Sequence, residues 1–226
     1  MRLFILRALT LLLALFIATI GPTSAEPPAS LIPAIRAGDL ELVTQLLESG
    51  ASAEAVTETG EFAGKTALMW ASETGESEMI HALLEAGAAV DRPNHKDGTA
   101  LMYAAVAGKH EAVKILLDAK ADPNLQVRHG WSPLLLATVK EHVDVLDALL
   151  EAGADPMVRD VYGWTLLMRA VDGQRKAATK RLLDAGVPVD AEDFSGNTAL
   201  NIAAALDDPW FIEQLRAYQQ PMTLSQ

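Results

Sequence analysis

One spacing constrains this sequence more than any other feature: a short apolar motif returns every 33 residues. Its copies begin with Thr66-Ala67-Leu68, Thr99-Ala100-Leu101, Ser132-Pro133-Leu134, Thr165-Leu166-Leu167 and Thr198-Ala199-Leu200. Leucine pairs keep the same step at Leu83-Leu84, Leu116-Leu117, Leu149-Leu150 and Leu182-Leu183. A constant period of this length indicates one supersecondary unit repeated and stacked along the chain.

Each repeat has the pattern of two short helices. Leu68 and Ala71 are three residues apart, and the apolar residues of 79–84 follow at spacings that place them on one helix face. Gly75 lies between the two predicted helices, and Gly87 suits a left-handed stop after the second. The Thr or Ser that opens the motif can cap the first helix. Since one unit cannot cover its own apolar face, neighbouring units must stack, and both leucines of a pair are expected to be buried between them.

The motif resembles the Thr-Pro-Leu-His-x-Ala signature of ankyrin repeats. The copies read Thr66-Ala67-Leu68-Met69-Trp70-Ala71, Thr99-Ala100-Leu101-Met102-Tyr103-Ala104, Ser132-Pro133-Leu134-Leu135-Leu136-Ala137, Thr165-Leu166-Leu167-Met168-Arg169-Ala170 and Thr198-Ala199-Leu200-Asn201-Ile202-Ala203. The resemblance implies a mostly α fold, an ankyrin-repeat solenoid of about six helix-turn-helix units with β-turn fingers. Met, Leu or Asn replaces the family histidine in every copy, so the usual hydrogen bonding of that residue between neighbouring repeats is expected to be missing.

The predicted repeat domain covers residues 29–219. We divide it into units of approximately 29–61, 62–95, 96–128, 129–161, 162–194 and 195–219. Leu46 and Leu83 are 37 residues apart, so four extra residues are expected within 56–65. In the last unit Asp208 can cap a helix that starts at Pro209, and Arg216 replaces the second leucine, as a terminal unit requires.

Residues 1–25 have the pattern of a cleavable secretory signal. Arg2 and Arg7 precede an apolar run over residues 8–20, which as a helix would span about 20 Å, short of the roughly 30 Å of a membrane core. Small residues lead to Ala25, the expected last residue of the signal. The sequence therefore predicts export, with the periplasm as the expected compartment and no membrane span after cleavage. If the signal is not cleaved, it becomes an N-terminal membrane anchor. Residues 26–28 form a short linker and residues 220–226 a C-terminal tail.

Charge and motifs exclude several classes of function. The chain carries a formal charge of −12, with 30 acidic residues against 18 Lys and Arg, so binding to nucleic-acid phosphates is not expected. There is no cysteine, and no zinc-protease helix, nucleophile turn or phosphate-binding loop occurs. Asp155, Asp160, Asp190 and Asp193 are interpreted as solvated turn residues. We therefore predict no catalytic residue, no cofactor and no metal.

The candidate partner-binding residues lie on the first helix of each unit. If the opening Thr or Ser is position four, helical spacing places positions 5, 8 and 12 on the face away from core positions 6, 9 and 10. By resemblance to the family, this face lines the concave groove. Position 8 is Trp70, Tyr103, Leu136, Arg169 and Ile202 in successive units. Such a row is close in composition to an interaction hot spot, and partial burial under the neighbouring finger is the alternative.

The finger turns add Trp131 and Trp164, with Arg128 and Tyr162 beside them, and Phe62 and Phe194 extend the row. These patterns predict a non-catalytic scaffold of the cell envelope that binds another protein through its groove and finger tips. An immunity-type inhibitor, whose acidic surface masks a basic toxin or another envelope enzyme, is the alternative. A spacer without a dedicated binding surface is a third class, and an enzyme would need a cluster of perturbed titratable groups.

Overall fold

The computed structural model describes residues 30–219, so the predicted signal, linker and C-terminal tail lie outside the described residues. Within this range twelve helices form six consecutive pairs. The pairs are α1 Leu31–Ala37 with α2 Leu40–Glu48, α3 Ala67–Thr74 with α4 Ser77–Glu85, α5 Ala100–Val106 with α6 His110–Asp118, α7 Pro133–Lys140 with α8 Val143–Glu151, α9 Leu166–Asp172 with α10 Lys176–Asp184, and α11 Ala199–Leu206 with α12 Pro209–Gln219. This architecture confirms the predicted helical repeat solenoid.

The first helix of each 33-residue unit starts where the sequence predicts, because a hydroxyl satisfies its free backbone N–H. In each case the cap oxygen accepts a hydrogen bond of 3.1–3.4 Å from the N–H three residues later. The cap residues are Thr66, Thr99, Ser132, Thr165 and Thr198. In three of these caps the side chain that replaces the family histidine also accepts a hydrogen bond from the N–H of the cap residue. These side chains are Met69, Met168 and Asn201.

The helices stack in two rows. First helices pack on first helices along the series α1, α3, α5, α7, α9 and α11, and second helices pack in a parallel row. The first leucine of each pair is fully buried between units, whereas the second is half-buried in three of the four pairs. The expectation that Leu117 is buried is therefore wrong, and Leu116 is the core residue.

Position 5 also lies in the core rather than in the groove. Its residues are all buried: Ala67, Ala100, Pro133, Leu166 and Ala199. The prediction from helical spacing fails because it assumes one buried face per helix. In a solenoid the first helix of each pair, which we call the inner helix, is flanked on two sides by the inner helices of neighbouring pairs. Its lateral positions are therefore covered as well.

The fingers are hairpin-like turns between the helix pairs. Antiparallel bridges join Val56 to Thr66 and Arg159 to Thr165, and these bridges span ten and six residues. Both end on the residue that caps a first helix, so the longer one contains the four extra residues that the sequence predicts between residues 56 and 65. The first finger is therefore longer than the others.

Adjacent fingers also contact one another near their tips. The N–H of Phe194 donates to the carbonyl of Tyr162 at 3.4 Å, and the N–H of Val161 donates to that of His129 at 3.3 Å. Gly163 has φ +78°, and a Cβ there would lie 2.7 Å from the ring of Phe194. Glycine is thus required at this tip both for the turn and for the approach of the next finger.

Among residues 30–219, no helix has the length and apolar character needed to cross a bilayer.

Candidate functional site

The aromatic residues of the groove and fingers form two clusters. The first, which we call the aromatic box, consists of Phe62, Trp70 and Tyr103 around the ammonium of Lys65, with the carboxylate of Glu73. The second, the finger cluster, consists of Asp160, Tyr162, Trp164 and Arg169. Together the two clusters contain five of the eight predicted partner-binding residues.

The aromatic box is built around a lysine that is only 1% exposed. Its Nζ lies 3.7 Å from the ring centre of Trp70, 4.3 Å from that of Tyr103 and 5.7 Å from that of Phe62. The same ammonium forms an ion pair with Glu73. An ammonium so placed is attracted by the electron-rich ring faces as well as by the carboxylate. Lys65 belongs to the longer first finger, so this contact fastens that finger to the inner helices.

Trp70 is 8% exposed, so the expectation that it faces an open groove is wrong. Its indole Nε1 donates a 2.9 Å hydrogen bond to the Thr57 hydroxyl. The Phe62 ring meets it edge-on at 5.2 Å, and the Arg36 guanidinium lies 4.9 Å from its ring centre. The packing alternative thus describes Trp70 in this structure. The cause is the first finger, whose extra residues fold over a position that the other units leave more open.

Burial changes the ionisation of two groups in the box. Burial lowers the pKa of the Lys65 ammonium. The hydrogen bond and the negative charge of Glu73 oppose this lowering, and the positive charge of Arg36 adds to it. Burial also raises the pKa of the Tyr103 hydroxyl, and the negative charge of Glu73 adds to that rise. The Asn94 amide donates a 2.9 Å hydrogen bond to the same hydroxyl, which limits the rise.

Tyr103 and Leu136 come together next to the box. They line a shallow pocket of about 220 Å³ between the α5 and α7 helices and the finger residues in front of them. The remaining lining residues are mostly apolar, with a polar edge: Asn94, Lys96, Gly98, Met102, Val106 and Val127. This pocket offers space for an apolar side chain, with hydrogen-bonding groups at its margin.

The finger cluster is organised by Asp160. One carboxylate oxygen accepts hydrogen bonds from the N–H groups of Tyr162, at 2.8 Å, and Trp164, at 3.1 Å. The other accepts two bonds from the Arg169 guanidinium, of which the Nε bond is 2.8 Å. That guanidinium lies 4.4 Å from the Trp164 ring centre and 5.9 Å from that of Tyr162. The Arg169 guanidinium is therefore paired within the finger cluster.

The interpretation of Asp160 and Asp193 as solvated turn residues is wrong. Both are buried, and each holds its finger by accepting backbone N–H bonds. Asn94 makes the equivalent bonds to Lys96 and Gly98. The sequence indicates this shared role, because Asn94, Asp160 and Asp193 are separated by multiples of 33 residues.

The surface left open lies mainly on the finger tips. Tyr162 is 66% exposed and Phe194 is 77% exposed. Arg128 is exposed as well and forms a 3.5 Å ion pair with Asp97 of the preceding finger. Trp131 and Trp164 are half-buried against the core, so only part of each ring is available. The predicted row is therefore divided between side chains that fasten the fingers and side chains that face solvent.

No three His, Asp or Glu side chains of the described part of the chain converge to hold a metal ion. What the arrangement offers is aromatic surface, an apolar pocket and hydrogen-bonding groups along one side of the solenoid. A stack of helix pairs with such a surface defines a helical repeat protein of the class that makes contacts with other proteins.

Comparison with known families agrees with a helical repeat protein. A family model described as ankyrin repeats in three copies matches residues 31–127, 93–160 and 134–223. The chain therefore belongs to the ankyrin-repeat family, whose members are typically non-catalytic modules for protein–protein interaction. A search of the curated proteins gives no match.

Proposed function

We propose that this protein is a non-catalytic scaffold of the cell envelope that binds another protein through its finger tips and concave groove. The observation that carries the proposal is the pair Tyr162 and Phe194, two aromatic side chains that are mostly exposed on adjacent fingers. Tyrosine and phenylalanine at such positions add little to the core, whereas aromatic residues are enriched in the centres of protein interfaces.

The groove supports the same proposal. The pocket beside Tyr103 and Leu136 is lined mainly by apolar side chains, with Asn94 and Lys96 as polar members, which is a usual composition of an interface anchor site. Two fingers that precede Tyr162 in the chain line this pocket, one through Asn94, Lys96 and Gly98 and the other through Val127. A partner segment that contacts Tyr162 and Phe194 could therefore continue along the solenoid to the pocket.

Charge favours a basic partner. Residues 39–91 contain eleven acidic side chains, and their only Lys or Arg before Arg92 is the buried Lys65. The acidic residues are Asp39, Glu41, Glu48, Glu54, Glu58, Glu61, Glu73, Glu76, Glu78, Glu85 and Asp91. Such a surface steers positively charged proteins towards it. This charge is also what favours the second candidate function, an immunity-type inhibitor that masks a basic toxin or another envelope enzyme.

Affinity capture tests the binding surface. The full chain with a C-terminal tag is used to retain proteins from an envelope extract, beside a Tyr162→Ser/Phe194→Ser variant and a Tyr218→Ser control. Tyr218 is 42% exposed on α12, where its hydroxyl donates a hydrogen bond to Asp184 of α10. A protein retained by the wild type and the control but lost from the finger variant supports the proposal. Equal retention by all three chains contradicts it.

Export is tested separately, because the binding surface does not depend on it. Purification of the tagged full chain from its native host and sequencing of its N-terminus should give Glu26 as the first residue. An intact Met1 on protein recovered with the membrane would support the anchor instead, and an intact Met1 on protein recovered from the cytoplasm would contradict export.

A further inference from the structure

The aromatic box holds a cation that belongs to the chain itself. Lys65 comes from the longer first finger, whereas Trp70 and Tyr103 come from the inner helices of the next two pairs. We propose that the aromatic box is a recognition site for the lysine side chain of a basic protein partner, and that Lys65 is an internal occupant which this side chain displaces. The inference rests on the proposed function, since it names the chemistry of the partner.

The chemistry of the box fits an alkylammonium group. Ring faces attract a cation within about 6 Å of their centres, and three rings meet that condition around Lys65 Nζ. Glu73 supplies the neutralising charge. Its side chain is 39% exposed, so the carboxylate that pairs with Lys65 is itself accessible from solvent.

The backbone of Lys65 is held in the finger independently of its side chain. Its carbonyl accepts a 2.9 Å hydrogen bond from the Thr57 N–H, and its N–H donates a 3.0 Å bond to the Phe62 carbonyl. These bonds do not require the ammonium to stay in the box. Exchange of one lysine side chain for another also leaves the net charge inside the box unchanged. The equilibrium between Lys65 and the partner's lysine therefore depends on contacts elsewhere between the partner and the solenoid.

The surroundings would guide a basic segment to this place. The exposed residues Glu58 and Glu61 lie on the same finger as Lys65, and the exposed Glu76 follows α3. Together with Glu73 they place negative charge on the elements that carry the aromatic box. The acidic surface thus attracts the segment, and the aromatic box selects a lysine from it.

The first test empties the box. Lys65→Ala leaves space for an alkylammonium ion, and the probe is n-butylammonium chloride, with sodium chloride and n-butanol at equal concentrations as controls. We expect the probe to raise the thermal midpoint of Lys65→Ala by about 3 °C in a saturable manner, and the controls not to do so. The double variant Lys65→Ala/Glu73→Gln should lose this response. A midpoint that responds equally to the probe and to sodium chloride overturns the proposal.

The second test uses the wild-type chain, so it remains decisive if Lys65→Ala does not fold. Lysine labelled with ¹³C at Cε reports the environment of Lys65, because the surrounding rings shift its resonance away from those of exposed lysines. Addition of acetyl-Gly-Lys-Gly-amide to about 20 mM, a concentration suited to millimolar affinity, should move this resonance towards the exposed position. Acetyl-Gly-norleucine-Gly-amide should have no effect. A resonance that stays in place with both peptides contradicts displacement.

Neither test requires the partner, so the inference and the proposed function can fail separately. If the box fails both tests while a partner is still captured through Tyr162 and Phe194, the proposed function stands and the inference is wrong. If the box binds the probes while capture does not depend on the fingers, the proposed function is wrong in its choice of surface.

Discussion

The ammonium of Lys65 lies 3.7 Å from the ring centre of Trp70, and this contact joins the end of the longer first finger to the first helix of the next pair. It divides the predicted aromatic row into two parts. Around Lys65 the rings are covered and hold a finger in place, whereas at Tyr162 and Phe194 they face solvent. Truncation of the covered rings should therefore lower stability, whereas truncation of Tyr162 or Phe194 should not.

Truncation of the two kinds of aromatic residue separates these roles. Trp70→Ala removes a buried indole, its hydrogen bond to Thr57 and its cation contacts, and it should lower the free energy of unfolding by about 3–5 kcal/mol. Tyr162→Ala should change it by less than about 0.5 kcal/mol, the usual effect at an exposed site. Urea unfolding followed by circular dichroism measures both. Equal losses would show that Tyr162 is part of the core.

The hydroxyl of Thr179 is buried and has no hydrogen-bond partner among the described residues. Thr179 occupies the position that Ile80, Val113 and Leu146 hold in earlier units. Thr179→Val should therefore stabilise the protein by about 1 kcal/mol, because it removes an unsatisfied polar group at nearly constant volume.

Thr138 is the matched control for this change, since its equally buried hydroxyl donates a 2.8 Å bond to the Leu134 carbonyl. Thr138→Val should give no stabilisation in the same thermal or urea experiment. A gain at both sites, or at Thr138 alone, would contradict the assignment of the unpaired hydroxyl.

The two leucines of the third helix pair test the repeat register. Leu116 is fully buried between units, and Leu116→Asp should prevent cooperative folding, because a carboxylate would lose its hydration there. Leu117 is half-buried, so Leu117→Asp should leave the chain folded with a loss of about 1–2 kcal/mol. Circular dichroism and urea unfolding distinguish the two outcomes. Folding of Leu116→Asp with collapse of Leu117→Asp would reverse the register.

Glu54 should make the free energy of unfolding depend on pH. Burial alone would raise the pKa of its carboxyl, but the hydrogen bond from the Ala89 N–H and the interaction with Arg92 lower it overall. The unfolded state then binds a proton more readily than the folded state, so this stabilisation is present above the ordinary pKa of 4.5 and is lost as the pH falls through the folded value.

Glu54→Gln should accordingly be less stable than the wild type near pH 7, by about 0.5–1 kcal/mol, as for a partly exposed ion pair. The gap should narrow as the pH is lowered below the ordinary glutamate value. Urea unfolding of both chains across this range measures it. A gap that widens in acid would show that burial, rather than the contacts with Ala89 and Arg92, controls Glu54.

The features that could be predicted from the sequence are those that a single unit encodes. The hydroxyl of Thr66 bonds to an N–H three residues away, and the same local geometry recurs at each 33-residue step, so periodicity suffices. Asp208 likewise caps the helix that starts at Pro209, through a 2.9 Å bond from the Trp210 N–H.

The features that could not be predicted depend on contacts between units. Trp70 is covered by a finger whose extra residues have no counterpart in the other units, so no repeat pattern indicates its burial. Asp160 was visible as a recurring polar residue, but its burial depends on Arg169 and on the folding of its own finger around it. The groove face predicted for position 5 is wrong, because helical spacing does not include the neighbours on either side of a stacked helix.

Site-specific photo-crosslinking tests the central claim most directly, namely that the finger tips contact a protein partner. Benzoylphenylalanine is placed at Tyr162 in one chain and at Tyr218 in another, and both are irradiated in the native host. The account predicts a covalent adduct with one partner protein from position 162 and none from position 218. An adduct from position 218 with none from position 162 would contradict it, because the binding surface would then lie on the outer helices.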